Sequence, residues 1–453
     1  MSLTKVTYAM TSGAPVNVLD YVTGGTGTDA DPYVGWDTGV TWAENTEYEF
    51  PSGVFQYSTT LNLAYSKIYV RGVGRGTILK FTGVGNCVSF DGGVNGVNSP
   101  RIEGFLINGN ATATNGIFTD NATYGICKNV AVINVSLAGF RSLFGVYWHI
   151  EDFSMGNNFG TQTTIPVVGI FLGVGVDPTK TVTAYTIINA NIANCSASGI
   201  DIANGWMNTI VGGAVEANGD QGLYLGVESH DNLINGLYVE ANLTNNIVVA
   251  GNGENLVGLW CVDNANTPIV FASTSSSNHV IGGVYGNITI NAGATRNDFT
   301  ASRMAGTWTD NGTGTAVNNM FSFGGGVGYI HPVFVTSWTN NATFPYETLT
   351  SSGADITSAI NSSGFGIANS NILKLQSGAT YLFQWNITLN SGALPGFLVS
   401  TNASAAAVGV SVASNNVYMF TPSADGDYYF TFRTESGVAT DFACSQINVK
   451  QIN

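Results

Sequence analysis

The chain has 453 residues, of which 44% are hydrophobic and only 9% charged, and its net charge is -15. That balance repels a phosphate backbone and argues against a nucleic-acid partner, and no apolar run reaches the roughly 18 residues of a membrane-spanning helix. So few charged side chains cannot wet the outer faces of many amphipathic helices, so the 57 glycines and the abundant Val, Ile, Asn and Thr are read as strands and turns.

The opening, MSLTKVTYAM, lacks a signal-peptide apolar core, which implies synthesis in the cytoplasm without a leader. Residues 1–50 read as an irregular, Gly- and Asp-rich segment that caps the fold. YEFPSGVFQYSTTLNL (48–63) then supplies two strands around a turn. KIYVRGVGRGTILKF (67–81) adds two more around Gly72, Gly74 and Gly76. These glycines are corners, not a dinucleotide fingerprint, because a strand (Thr77–Phe81) follows them where that fingerprint needs a helix.

From 85 to 140 alternating strands with Asn/Gly corners recur, and residues 141–185 interrupt them. Such an interruption marks a loop thrown out from one face, and that face often binds something. From 186 to 299 the beat is cleanest. VEAN at 215–218 returns at 239–242, and a looser VDN follows at 262–264. Asn208, Asn232, Asn255 and Asn278 are spaced 24, 23 and 23. A unit of this length cannot bury its own apolar face, but a stack of such units can. The alternation places Val215, Val239 and Val262 inside, with Glu216, Glu240 and Asp263 outside. The asparagines are expected in left-handed corners, forming a ladder.

These features predict an all-β protein with a right-handed parallel β-helix over 51–300 and a transition at 301–329. The region 330–453 carries longer alternating strands, among them ILKLQSGATYLFQWNITLNSG and NNVYMFTPSADGDYYFTFRTESG. It reads as an antiparallel β-sandwich. Cys87, Cys127, Cys195, Cys261 and Cys444 are odd in number and widely spaced. They read as buried thiols rather than a disulfide framework or zinc knuckle. No metal or cofactor is expected.

PVNVLDYVTGG, YEFPSGVF and IYVRGVGRGTILKF resemble the start of the pectate-lyase-like β-helices of bacteriophage tailspikes. Val16, Val18, Asp20, Tyr21, Phe50, Pro51, Gly53, Gly74 and Thr77 match that pattern. GGTGTDADPYVGWDTG (24–39) is longer than the family's usual Asp-rich element. The resemblance implies a homotrimer that binds a bacterial surface polysaccharide, acts outside the cell on the virion tail, and does not insert into a membrane. Many members cleave their glycan. The sandwich is then a carbohydrate-binding-like or trimer-capping module.

Stacked coils bring equivalent carboxylates to retaining or inverting separations, about 5–5.5 and 6.5–9.5 Å. The catalytic candidates are two of Asp201, Glu216, Glu228, Glu240 and Asp263. Trp206, Tyr224, His230, Tyr238 and Trp148 are candidate sugar contacts, since aromatic faces stack on CH faces of sugars. His149, Glu151 and Asp152 in YWHIEDF form a reserve cluster. Elimination by a polysaccharide lyase needs a basic group. The stretch between Lys180 and Arg296 offers almost none, which favours hydrolysis. The alternative class is a non-catalytic receptor-binding adhesin or structural spike.

Overall fold

The computed structural model describes residues 14–156, 162–174, 180–261 and 269–300, and shorter stretches from there to residue 451. The chain divides into two compact units, Met1–Gly328 and Tyr329–Asn453.

The first unit is a right-handed parallel β-helix. One coil shows the plan. Thr186–Ile188 lies in a first sheet, Asn191–Ala193 in a second, Ile200–Ile202 in a third, and Gly205–Trp206 on a short fourth side. The next coil repeats it. Thr186 pairs in register with Thr209, Asn191 with Ala214, and Ile200 with Leu223. The parallel ladder continues to the pairing of Arg303–Met304 with Phe321–Ser322.

Period-2 alternation sets what each strand buries. Ile187, Ile210, Ile234, Leu256 and Val280 form one file inside the first sheet. Ile192, Val215 and Val239 form another inside the second, as the VEAN repeat predicts. Val262 lies outside the described residues. The N-terminal end is closed by the short helix Trp36–Gly39. Buried Trp36 packs against Phe50, Phe55 and Tyr57 and donates to the Gln56 carbonyl. Gly74 does turn a corner, at φ 83°. The Thr77 hydroxyl braces it by accepting from the Val73 N–H (2.9 Å) and bonding the Pro51 carbonyl (3.0 Å).

The asparagine ladder exists, but its membership differs from the expected one. Asn208 donates through Nδ2 to Asn232 Oδ1 (2.9 Å), and Asn278 does the same to Asn297 (2.9 Å). Between them the rung is Glu254, fully buried, while Asn255 sits on the first sheet and is half-buried. Nor are the rung residues the left-handed ones. Met207, Asp231, Gly253, Ser277 and Arg296, each one position earlier, hold φ between 55° and 67°. The left-handed residue turns the chain, and its successor then points inward. A second ladder explains the last letter of VEAN. Ala217 and Ala241 are left-handed (φ 54° and 55°), and Asn218 and Asn242 turn inward and bond each other at 2.9 Å.

Glu254 is a carboxyl inside a file of amides. Burial pushes it up to about 7 from the usual 4.5. Ser229 Oγ lies 2.6 Å from Oε1 and 2.7 Å from the Gly226 carbonyl, and the Asn232 N–H donates to Oε2 (2.9 Å). A protonated Glu254 fits this set. Its O–H donates to Ser229, whose own proton goes to Gly226.

The second unit contains two antiparallel sheets. One orders Trp338–Asn340, Ile367–Ser370, Gly426–Arg433, Gly396–Ser400 and Val410–Ser411. The other orders Thr348–Ser352, Asp355–Asn361, Thr440–Gln451, Tyr381–Gly392 and Asn416–Phe420. Between them Phe383, Trp385, Phe397, Phe430, Phe432 and Phe442 make an aromatic core. All five cysteines are buried and none is in a disulfide among the described residues.

Two consequences are measurable. A charge at Val239 would be buried and unpaired, so Val239→Asp should cost on the order of 4 kcal/mol or more and abolish cooperative thermal unfolding of the helix. The raised Glu254 carboxyl favours the folded state while protonated. Its contribution is intact below about pH 4.5 and is lost as pH rises through about 7, roughly 3 kcal/mol in all. Glu254→Gln should therefore raise the Tm at pH 8 and change it little at pH 4.

Candidate functional site

The outward file of the third sheet gathers the groups best suited to bind a ligand. In each strand the flanking residues point in and the middle one points out. Ile200 and Ile202 are buried on either side of Asp201, Ile170 and Leu172 beside Phe171, and Leu223 and Leu225 beside Tyr224. Register then stacks Phe118, Arg141, Phe171, Asp201 and Tyr224 in one line, followed by Val248. Successive members are about 4.8 Å apart at the backbone. The connection that enters the Phe171 strand, 156–167, is longer than its counterparts 217–220 and 241–244, and the one that leaves it, 173–181, is longer than its counterpart 203–204. The interruption read from the sequence falls on either side of this strand along the chain.

Asp201 is the unusual member. Its Oδ1 is buried and has no hydrogen-bond partner among the described residues. Its neighbours in the file are Phe171 and Tyr224. Burial pushes it up to about 7 from 3.8. Tyr224 is also raised, first by burial and then by the Asp201 charge. Two steps away the Arg141 guanidinium lies 5.6 Å from the centre of the Phe171 ring, a cation–π contact. Burial lowers its affinity for a proton.

The other expected site residues fall elsewhere on the coil. Glu216 and Glu240 are register partners on the second sheet, and the Tyr238 hydroxyl donates to Glu240. Trp206, Glu228 and His230 occupy the side that leads back to the first sheet. There Trp206 is 46% exposed, stands edge-on to His230 at 5.7 Å, and donates to the Glu228 carbonyl. Asp263 lies outside the described residues. Asp201 and Tyr224 are therefore brought together, and Glu216 with Glu240, but the two pairs lie on different sheets.

Trp148 is not a sugar contact. It is 1% exposed, donates to the Ala122 carbonyl (3.1 Å) and packs among Phe90, Phe140 and Tyr185. Its neighbour Tyr147 is the exposed ring, stacked on Tyr124 at 5.1 Å. The reserve cluster is already neutralised. Glu151 binds Lys128 (2.9 Å) and His149 (3.2 Å), which hold it below the usual carboxylate range. Asp152 accepts from Asn189 (2.7 Å). A cleft of about 380 Å³ opens beside Asn17, Phe50 and Val73, but its charged groups, Glu49 and Arg71, pair with each other. Among the described residues no group of three or more His, Cys, Asp or Glu could hold a metal ion.

Arg141 and Phe171 escaped the sequence reading. The steps from 141 to 171 and from 171 to 201 are 30 residues each, against 23 from 201 to 224. The inserted connections hide the register. The one available signal was alternation within GFRSL and GIFLG.

No family model matches the chain, and no curated protein matches it. Solved structures that are similar include ORF18 of Geobacillus virus E2, at 13% identity and a TM-score of 0.48, covering 90% of this chain and 76% of that one. The tailspike gp42 of Acinetobacter phage vb_AbaP_AS12 is similar at 12% identity and a TM-score of 0.43, covering 90% and 77%. The A-module of Azotobacter vinelandii mannuronan C-5 epimerase AlgE6 is similar at 14% identity and 0.40, covering 68% and 100%. None of these three reaches a TM-score of 0.5, so the likeness bears on neither activity nor site.

The two tryptophans separate core from surface. Trp148→Ala should cost about 3–5 kcal/mol, as truncation of a buried ring does. Trp206→Ala should cost about 0.5 kcal/mol or less. Denaturant midpoints of both variants check the assignment.

Proposed function

We propose that the protein is a tailspike-like depolymerase that holds a bacterial surface polysaccharide along the third sheet and hydrolyses its glycosidic bonds, with Asp201 as general acid. One observation carries the proposal: a partly buried carboxyl whose Oδ1 has no hydrogen-bond partner among the described residues stands between two aromatic rings on an outward face. A carboxyl raised to about 7 is half protonated near neutral pH, where a general acid works best. Phe171 and Tyr224 offer flat apolar faces to sugar CH groups. The proton passes from Asp201 to the glycosidic oxygen as the bond to the anomeric carbon breaks, and water adds to that carbon. Hydrolysis also needs a second carboxylate; Glu216 and Glu240 are the candidates, and since they stand on the second sheet they would serve from a neighbouring subunit. We infer a homotrimer displayed on a virion tail, as the resemblance of the N-terminal motifs implies.

A second reading is a binding protein without catalysis. It is favoured by the register itself, since both neighbours of Asp201 in its file are aromatic rather than acidic.

New reducing ends released from capsule or lipopolysaccharide decide between the two. Asp201→Asn should lower the rate by roughly 10²- to 10⁴-fold. The wild-type rate should fall as pH rises through about 7, because the acid then loses its proton. Glycan binding with no new ends supports the second reading. Light scattering that gives a single 47.4 kDa species would reject the trimer.

A further inference from the structure

We infer that the third-sheet face selects an acidic glycan, one whose repeating unit bears a carboxylated sugar, and that Arg141 is the residue that selects it. The inference rests on the reading of this face as glycan-binding and names the class of glycan. In this arrangement the sugar carboxylate meets the Arg141 guanidinium, its ring lies against Phe171, and a hydroxyl or bridging oxygen reaches Asp201.

The first support is a comparison of the half-buried cations in the same part of the helix. Arg71 pairs with Glu49, Lys80 with Asp29 (2.8 Å) and Arg101 with Glu103 (2.6 Å). Lys128 pairs with Glu151 (2.9 Å) and Lys180 with Asp120 (2.7 Å). Arg141 has no carboxylate partner among the described residues, and its contact is the Phe171 ring. Acids are not scarce, since 29 Asp and Glu face 14 Lys and Arg. A partly desolvated guanidinium without a counter-charge is costly, and a ligand carboxylate that binds it in two-pronged fashion would offset that cost.

Placement is the second support. Arg141 and Asp201 flank Phe171 in register, one step on either side. The two side chains therefore leave the sheet about 9.6 Å apart with an aromatic floor between them. A cation, a flat apolar surface and a hydrogen-bonding acid in that order match the carboxylate, the CH face and the hydroxyl edge of one sugar acid. A chain of net charge -15 repels an acidic polymer at long range, so recognition needs a local cation, and the stripe provides one. A protonated Asp201 adds no repulsion and can donate to the ligand.

The test uses the full chain and capsular and O-chain polysaccharides of known composition, some with uronate or sialate sugars and some neutral. Each acidic probe is paired with its carboxyl-reduced copy. The expected result is binding of at least one acidic probe, weakened roughly 10- to 100-fold by carboxyl reduction and to a similar degree by Arg141→Gln. Arg141→Lys should recover part of the loss, because it keeps the charge and loses the planar fork. Equal binding of native and reduced probes, unchanged binding by Arg141→Gln, or preference for neutral probes overturns the inference. So does binding to none of the acidic probes. The carboxyl-reduction arm needs no variant, so it stands even if Arg141→Gln fails to fold. Arg141-dependent acidic binding without cleavage sinks the depolymerase and leaves this inference standing. Asp201-dependent cleavage of a neutral glycan that ignores Arg141→Gln does the reverse.

Discussion

Parallel hydrogen bonding between successive coils is the constraint on which the rest of the helix depends. It sets each residue directly over its register partner, about 4.8 Å away. Whatever one coil places at a position, the next coil must live beside. Inside, the consequence is files of Ile, Leu and Val. At two corners it is files of buried amides, because a residue that follows a left-handed turn points inward and brings polar atoms with it. Asparagine suits that place since its side chain both accepts and donates, so each rung satisfies the next.

The same constraint gives meaning to two carboxyls that both stand near 7. Glu254 is fully buried, and hydroxyl, amide and backbone groups surround it. Its shift records a substitution within a structural ladder. Asp201 points outward between two rings, and its Oδ1 has no partner among the described residues. Desolvation raises both groups, yet only the second leaves hydrogen-bonding capacity for a ligand. Direction and partners, rather than the size of the shift, separate a structural acid from a chemical one.

Outward files behave differently on different sides of the same coil. On the first sheet, Lys128 and Glu151 are adjacent in register and neutralise each other. On the third, the file alternates rings with Arg141 and Asp201, which form no ion pair with each other. A stack converts small differences in side-chain order into different surfaces.

The sequence by itself determined the period, the inward faces of Val215 and Val239, the outward faces of Glu216 and Glu240, and the longer strands of the second unit such as Tyr381–Gly392 and Gly426–Arg433, because alternation and repeat length are local properties. It also marked 141–185 as the place where a face is modified. Tertiary structure alone decided that Glu254 rather than Asn255 forms the ladder rung, because one residue of phase at a corner decides whether a side chain turns in or out. It decided that Trp148 is core and Tyr147 surface for the same reason. It also brought Arg141 to Asp201 across 60 residues of chain, since register across an insertion is fixed by hydrogen bonding between coils and not by spacing along the sequence.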